Sequence, residues 1–269
     1  MLLRYKANKP FQMEAGQFVK LRFQLNDGTP SRFYSVASCP DPKTNLASEF
    51  EFCIKKVDGG KVSRYLTCDN PPQSCELLTA AGSFKLPTIV SGMKRFMVSA
   101  GVGVIAFMSA ARSVSLMAKT NMLNRKAHLT LIHSVRSLNL PYIEELVTIA
   151  TGGGGEGDGN ASSLLNFQLC ICVSGKLDVD IAQRLLSSNN NKSPKNVEIR
   201  QGHVDKVLLQ NYLNKFDDDD SSSPPSPPER SRVPVYACGP RNFQKMVRET
   251  FLKDFSHPRN LIHLEFFDL

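Results

Sequence analysis

From Arg95 to its end the chain alternates short apolar runs with helical patterns, and that alternation restricts the fold more than any other feature. The strand-like runs are Arg95–Ser99, His128–Val135, Phe167–Ser174, Val197–Gln201, Val233–Ala237 and Leu261–Phe267. Between them lie helical patterns at Val104–Ala118, Tyr142–Ile149, Val179–Leu186, Val204–Phe216 and Arg241–Phe255. Such a succession implies βαβ units, and these build a doubly wound, mainly parallel sheet with helices on both faces. Three low-complexity stretches, 152–163, 187–196 and 217–232, each separate a helical pattern from the next strand. Rich in Gly, Asn, Asp, Ser and Pro, they bury too little apolar surface to offset their ordering entropy and read as surface loops.

The first ninety residues have a different texture. Gly16–Leu25 alternates apolar and polar residues until Asn26-Asp-Gly-Thr-Pro30 breaks it, and Ser31–Ser38, Glu49–Val57 and Cys75–Ala81 are each of strand length. Short strands at this spacing predict a small antiparallel β-barrel of Greek-key type. At about 150 residues per domain, 269 residues make two domains. The division is expected at 1–90 for the barrel and 91–269 for the α/β domain.

Composition narrows the chemistry. The seven cysteines include no C-x-x-C pair, no H-E-x-x-H occurs, and plant-type iron–sulfur spacing is absent, so no metal site is expected. An odd cysteine count and a start, Met1-Leu-Leu-Arg-Tyr-Lys6, without an apolar signal core predict reduced thiols and a cytoplasmic setting. A mitochondrial one follows if the N-terminus is incomplete or processed. No uninterrupted run of about 18 apolar residues occurs, so no transmembrane segment is expected. The net charge of +8 is uneven: between Glu76 and Glu144 there is no acidic residue, yet there are Lys85, Lys94, Arg95, Arg112, Lys119, Arg125, Lys126 and Arg136. That field attracts phosphates or acidic partners, or is simply a solvated basic face. The stretch lacks interleaved aromatics, which disfavours nucleic acid.

The strongest local signal is Arg95-Phe-Met-Val-Ser-Ala-Gly101-Val102-Gly103-Val-Ile-Ala106, where a strand enters a glycine turn and a helix leaves it. Glycines let backbone approach a pyrophosphate, and N–H groups at the helix start bind its charge, although such turns also serve packing alone. The acidic residue expected about twenty positions later in a NAD site is missing. The next strand instead ends in His133-Ser134-Val135-Arg136, so either the cofactor is NADPH or the nucleotide lies differently. A second signal is Arg32-Phe-Tyr34-Ser35-Val-Ala-Ser38 on a barrel strand, where period two sets Arg32 and Tyr34 on one face and Ser35 on the other. Downstream, Gly59-Gly60-Lys61-Val62-Ser63 opens a short helix and forms a second candidate phosphate turn.

These stretches together resemble the ferredoxin–NADP reductase superfamily. Arg32–Ser38 looks like its R-x-Y-S/T-x-x-S flavin signature, and Gly60–Leu66 resembles its G-x-x-S-x-x-L diphosphate turn. Ser99–Ser109 is similar to its A-G-G-T-G-I-x-P-x-x-S turn, Cys238-Gly239-Pro240 to C-G-P, and Leu264-Glu265-Phe-Phe267 to its terminal E-x-F. The five occur in family order over nearly the whole chain. The likeness is nearest to stand-alone oxidoreductase NAD-binding domain-containing proteins and to oxygenase reductase components.

The resemblance implies an FAD-dependent NAD(P)H oxidoreductase that passes hydride to flavin and electrons to a separate acceptor, with an acidic electron-carrier protein as candidate. It implies that Arg32 holds flavin phosphate through a contact of about 1.5–3 kcal/mol. Tyr34 stacks on the isoalloxazine, Ser35 bonds near flavin N5, and Lys56 with backbone at Gly60, Lys61, Val62 and Ser63 completes the grip. Gly101, Val102 and Gly103, with Ser134, Arg136, Gly239 and Pro240, take the nucleotide. Cys238 and Glu265 lie beside the nicotinamide as catalytic residues with Ser35, and Phe267 shields the ring.

Three departures accompany the likeness. Ala100 replaces the first glycine of the family's pair, where a positive φ would cost roughly 1–2 kcal/mol. Ala106 stands where the family has proline. Met1–Lys6 supplies only one strand ahead of Gly16, so the barrel is expected to lack its first. The rival readings are a catalytically impaired relative acting through protein contacts, and a flavin-free NAD(P) dehydrogenase using Gly101–Ala106 alone.

Overall fold

The computed structural model describes residues 1–25, 28–82, 84–85, 93–152, 164–187, 194–215 and 233–266. The stretches 153–163 and 217–232 lie outside the described residues, as do 188–193, Phe267 and the expected boundary at 90/91. Of the middle stretch, Ser187 ends a helix and Asn196 donates to the Phe167 carbonyl at 3.1 Å, so its ends are held by the fold rather than loose. By internal packing the chain forms two units, Met1–Ile89 with Ile105–Leu116, and Val90–Val104 with Met117–Leu269.

The first unit carries β1 (Leu2–Gln12), β2 (Phe18–Arg22), β3 (Ser31–Ser35), β4 (Leu46–Cys53) and β5 (Glu76–Ala81). All pairings are antiparallel, β1 with β4 and β3–β2–β5 as a triplet, which gives a barrel-like pair of sheets. Strand β1 is longer than the six residues expected from sequence. Lys9-Pro10 interrupts its apolar alternation, and a register shift between Lys6 and Phe11 carries the strand past them. Val19, Leu21, Phe23, Val36, Phe50, Phe52 and Ile54 fill the core, joined by Val62 and Leu66 of the short helix α1 (Lys61–Leu66).

Helix α2 (Ile105–Lys119) is tied into this unit. The rings of Phe84 and Phe107 lie 5.7 Å apart, and the Ser109 hydroxyl donates to the Ser38 carbonyl at 2.8 Å. Arg112 reaches one Glu51 oxygen at 2.7 Å while Arg4 takes the other at 2.7 Å. Burial pushes the Glu51 carboxyl up, but the hydrogen bonds from Arg4 and Arg112 outweigh it and hold the group below its ordinary range. The segment Gly101–Lys119 is long and apolar enough by length and composition alone to cross a bilayer. Most of it is buried inside the fold, as a core helix is.

The second unit is built on six parallel strands, β6 (Lys94–Ala100), β7 (Ala127–Val135), β8 (Leu165–Val173), β9 (Val197–Gln201), β10 (Val235–Gly239) and β11 (Ile262–Phe266). Their order is β11–β10–β6–β7–β8–β9. Strands buried on both faces read as continuous apolar runs, which is the burial that β7 and β10 show. The helices are α3 (Ile143–Ala150), α4 (Val179–Ser187), α5 (Lys206–Lys215) and α6 (Arg241–Glu249). The expected single helix to Phe255 instead widens after Glu249 into a π-helical turn, Thr250–Asp254, with Phe251 and Phe255 packed on the core. The order of strands reverses between β6 and β10, and in open α/β sheets such a switch point marks the ligand crevice at the carboxyl ends.

Candidate functional sites

Strand β3 carries the first site. Arg32 is exposed, and its Nη1 donates to the Ser31 carbonyl at 2.8 Å. The Tyr34 ring stacks on Phe52 at 4.7 Å and meets the edge of Phe23 at 6.1 Å; burial pushes its phenol up to about 12. Ser35 points to the opposite face and is only 7% exposed, and its Oγ has no hydrogen-bond partner. A buried hydroxyl left unpaired costs about 1–3 kcal/mol, so this oxygen keeps an unused capacity to donate or accept a hydrogen bond.

The turn before α1 is shaped by close approach. A Cβ on Gly60 would lie 2.6 Å from Ser63 Oγ. That hydroxyl accepts from the Val57 N–H at 3.1 Å, which fixes the loop on the helix start. The first helical bond runs from the Arg64 N–H to the Gly60 carbonyl at 3.1 Å, so the N–H groups ahead of it face outward from the helix end. Val62 is buried in the barrel core, so it can offer a ligand only its backbone. Lys56 and Lys61 are exposed on either side of the turn. A glycine turn with outward N–H groups and two exposed lysines has the chemistry to hold a phosphate.

The second site lies at the carboxyl ends of β6, β7, β10 and β11. Gly101 adopts φ +57° and opens a 3-10 turn, Gly101–Val104, ahead of α2. Val102 is half-buried in this turn. A Cβ on Gly103 would lie 2.5 Å from the Cys238 carbonyl oxygen, so the turn after β6 rests directly on the end of β10. A Cβ on Gly239 would come within 3.1 Å of the Ala100 Cβ. Ala100 itself is the last residue of β6 and does not have a positive φ, so the condition under which its Cβ would cost energy is not met: the left-handed residue is Gly101. Pro240 sits at the N-cap of α6. Ser134 is half-buried near the end of β7 and Arg136 is exposed beyond it.

Cys238 and Glu265 are register partners on β10 and β11 and are 0% and 9% exposed. Burial pushes the Glu265 carboxyl up to about 7. Burial also pushes the Cys238 thiol well up, with the charge of Glu265 adding to it. Phe267 falls outside the described residues.

Two buried side chains here were given no role of their own by the sequence reading. His133 is fully buried; burial pushes it down to about 3, so the ring is neutral. Its Nδ1 lies 2.8 Å from Ser99 Oγ and its Nε2 has no partner. Gln244 is 0% exposed, and its Nε2 donates to the Gly239 carbonyl at 2.7 Å and to the Glu265 carbonyl. One signal was available for the second: Gln244, Val247 and Phe251 share the buried stripe of a helix, where a glutamine needs a partner.

The described residues thus form a unit of antiparallel strands and a unit built on a parallel sheet. Residues 2–86 match the family model for the oxidoreductase FAD-binding domain. The chain carries that FAD-binding domain, and its fold is like that of solved ferredoxin NADP+ reductases. It is 32% identical over 145 residues to ferredoxin–NADP reductase B of Sorangium cellulosum, covering 54% of this chain and 55% of that protein. The chain thus spans about half, or less, of the length of the curated relatives it matches. Among solved structures it is similar to the flavohem-like FAD/NAD binding domain of nitric oxide dioxygenase from Vibrio cholerae. The TM-score is 0.63 at 16% identity, over 99% of this chain and 91% of that one. It is also similar to a ferredoxin NADP+ reductase from Neisseria gonorrhoeae with bound FAD and NADP. There the TM-score is 0.59 at 19% identity, over 98% and 92%.

Proposed function

We propose that the chain is an FAD-dependent NAD(P)H oxidoreductase that takes hydride from a reduced nicotinamide nucleotide and hands electrons to a separate acceptor. The observation that carries this is the orphaned, buried Ser35 hydroxyl, on the same strand as Arg32 and Tyr34 inside the matched FAD-binding domain. Bound FAD supplies a hydride acceptor that can release electrons singly. Arg32 and Lys56 bind its phosphates together with the backbone of Gly60, Lys61, Val62 and Ser63. Tyr34, braced on Phe52, offers its other face to the isoalloxazine, and Ser35 donates a hydrogen bond near N5.

In the second unit, Gly101, Val102 and Gly103 present backbone to the nucleotide pyrophosphate, and Gly239 with Pro240 borders it. Ser134 and Arg136 face the ribose end, where a hydroxyl and a cation suit NADPH. Cys238 excludes water beside the nicotinamide, and the Glu265 carboxyl, held near neutrality by burial, keeps or releases a proton at working pH. The acid-free basic stretch from Leu77 to Ile143 favours an acidic electron-carrier protein as acceptor, such as a ferredoxin.

Replacing Ser35 by Ala is expected to slow flavin reduction about tenfold, the worth of one hydrogen bond, while nucleotide affinity stays nearly constant. Stopped-flow reduction at an unchanged rate would remove Ser35 from the reaction.

A further inference from the structure

Gln244 is not part of any motif that links the chain to flavoproteins, yet its side chain grips the ends of both β10 and β11. It lies one turn into α6, and its side chain turns back toward the helix N-terminus, as helical side chains do. One amide nitrogen donates to two main-chain carbonyls, those of Gly239 and Glu265. Its Oε1 is buried without a partner. Rotating the amide by half a turn would set that oxygen against two carbonyl oxygens, so the orientation is fixed by chemistry. The two carbonyls flank the register pair Cys238 and Glu265, one residue after the former and on the latter itself.

We propose that Gln244 is a positioning residue for the reaction: by clamping the Gly239 and Glu265 carbonyls it fixes the Cys238 thiol and the Glu265 carboxyl relative to each other. The inference rests on the reading of the chain as a flavin reductase in so far as these two side chains serve hydride transfer. The clamp itself does not depend on that reading. Small displacements of groups that orient a reacting pair cost up to about 100-fold in rate, whereas binding of the distant nucleotide phosphates is unaffected.

The test uses the full chain loaded with FAD and three forms: wild type, Gln244→Met, which keeps the volume without the donor, and Gln244→Glu. In Gln244→Met the limiting rate of flavin reduction is expected to fall 10- to 100-fold, with less than about threefold change in the half-saturating nucleotide concentration. The Glu265 carboxyl is read independently of flavin by NMR of protein labelled at its glutamate carboxyls. Its titration is expected to move toward the ordinary carboxylate range in Gln244→Met, because a loosened strand end admits water; Cys238 is the titratable side chain facing it. Gln244→Glu sets a carboxylate against two carbonyls and is expected to regain rate as the pH falls and its carboxyl becomes a donor.

Wild-type rate and an unmoved Glu265 titration in Gln244→Met overturn the proposal. Should that variant fail to fold, a Gln244→Glu protein as fast as wild type at alkaline pH overturns it equally. A wild-type chain that binds no flavin breaks the reductase reading instead, and the Glu265 titration then decides the clamp by itself.

Discussion

The two candidate sites are made of different material. On β3 the candidate groups are side chains, with Arg32 exposed, Tyr34 braced against Phe52 and Ser35 buried with its hydroxyl unused. At the carboxyl ends of the parallel strands the site is mostly backbone. Gly101 supplies a left-handed turn, and Gly103 lets that turn lie on the Cys238 carbonyl. A site built from side chains weakens one contact at a time when residues change. A site built from close backbone approach fails as soon as a Cβ is added in the wrong place.

The contrast is tested most harshly by Gly103→Ala. With 2.5 Å between the new Cβ and the Cys238 oxygen, either the turn or the end of β10 must move. The variant is expected to lose more than about 2 kcal/mol of stability in urea unfolding and to bind nucleotide poorly. A variant with wild-type midpoint and affinity would show that the two turns do not touch.

Next in size is Arg112→Ala, which leaves the buried Glu51 with Arg4 as its remaining cation. A loss of about 1–3 kcal/mol is expected at neutral pH. Because the folded carboxyl sits below its unfolded value, this stabilisation is complete above the ordinary carboxylate range and disappears as the pH falls through the lowered value. The gap between the unfolding midpoints of variant and wild type should therefore close in acid; a gap that is constant with pH would rule out the ion pair as its source.

Smallest is Gly101→Ala, which meets nothing within 4 Å and costs only the positive φ, about 1 kcal/mol. A loss as large as that of Gly103→Ala would mean that space, not backbone conformation, governs this position.

Much of this architecture is legible in the residues alone. Strand β9 has the bounds its strand-like run predicts, Val197–Gln201, and β7 differs by one residue at its start. Strands buried on both faces announce themselves by unbroken apolar runs, and glycine turns and the Arg-x-Tyr-Ser strand are local signatures. What could not be read depends on partners far away along the chain. Glu51 finds Arg4 and Arg112 at separations of 47 and 61 residues, and Gln244 finds Glu265 at 21. The true length of β1 was hidden by Lys9-Pro10, which only a bulge against β4 accommodates. Whether Ala100 is strained could not be read either, because a motif shows which residue types recur but not which of them carries the positive φ.

The account stands on flavin reduction by a nicotinamide nucleotide. Protein incubated with FAD, freed of excess and mixed anaerobically with NADPH or with NADH in a stopped-flow spectrometer tests it directly. The predicted result is a bound yellow chromophore that bleaches at a rate saturating with nucleotide. A protein that stays colourless, or a bound flavin that neither nucleotide bleaches, would contradict it.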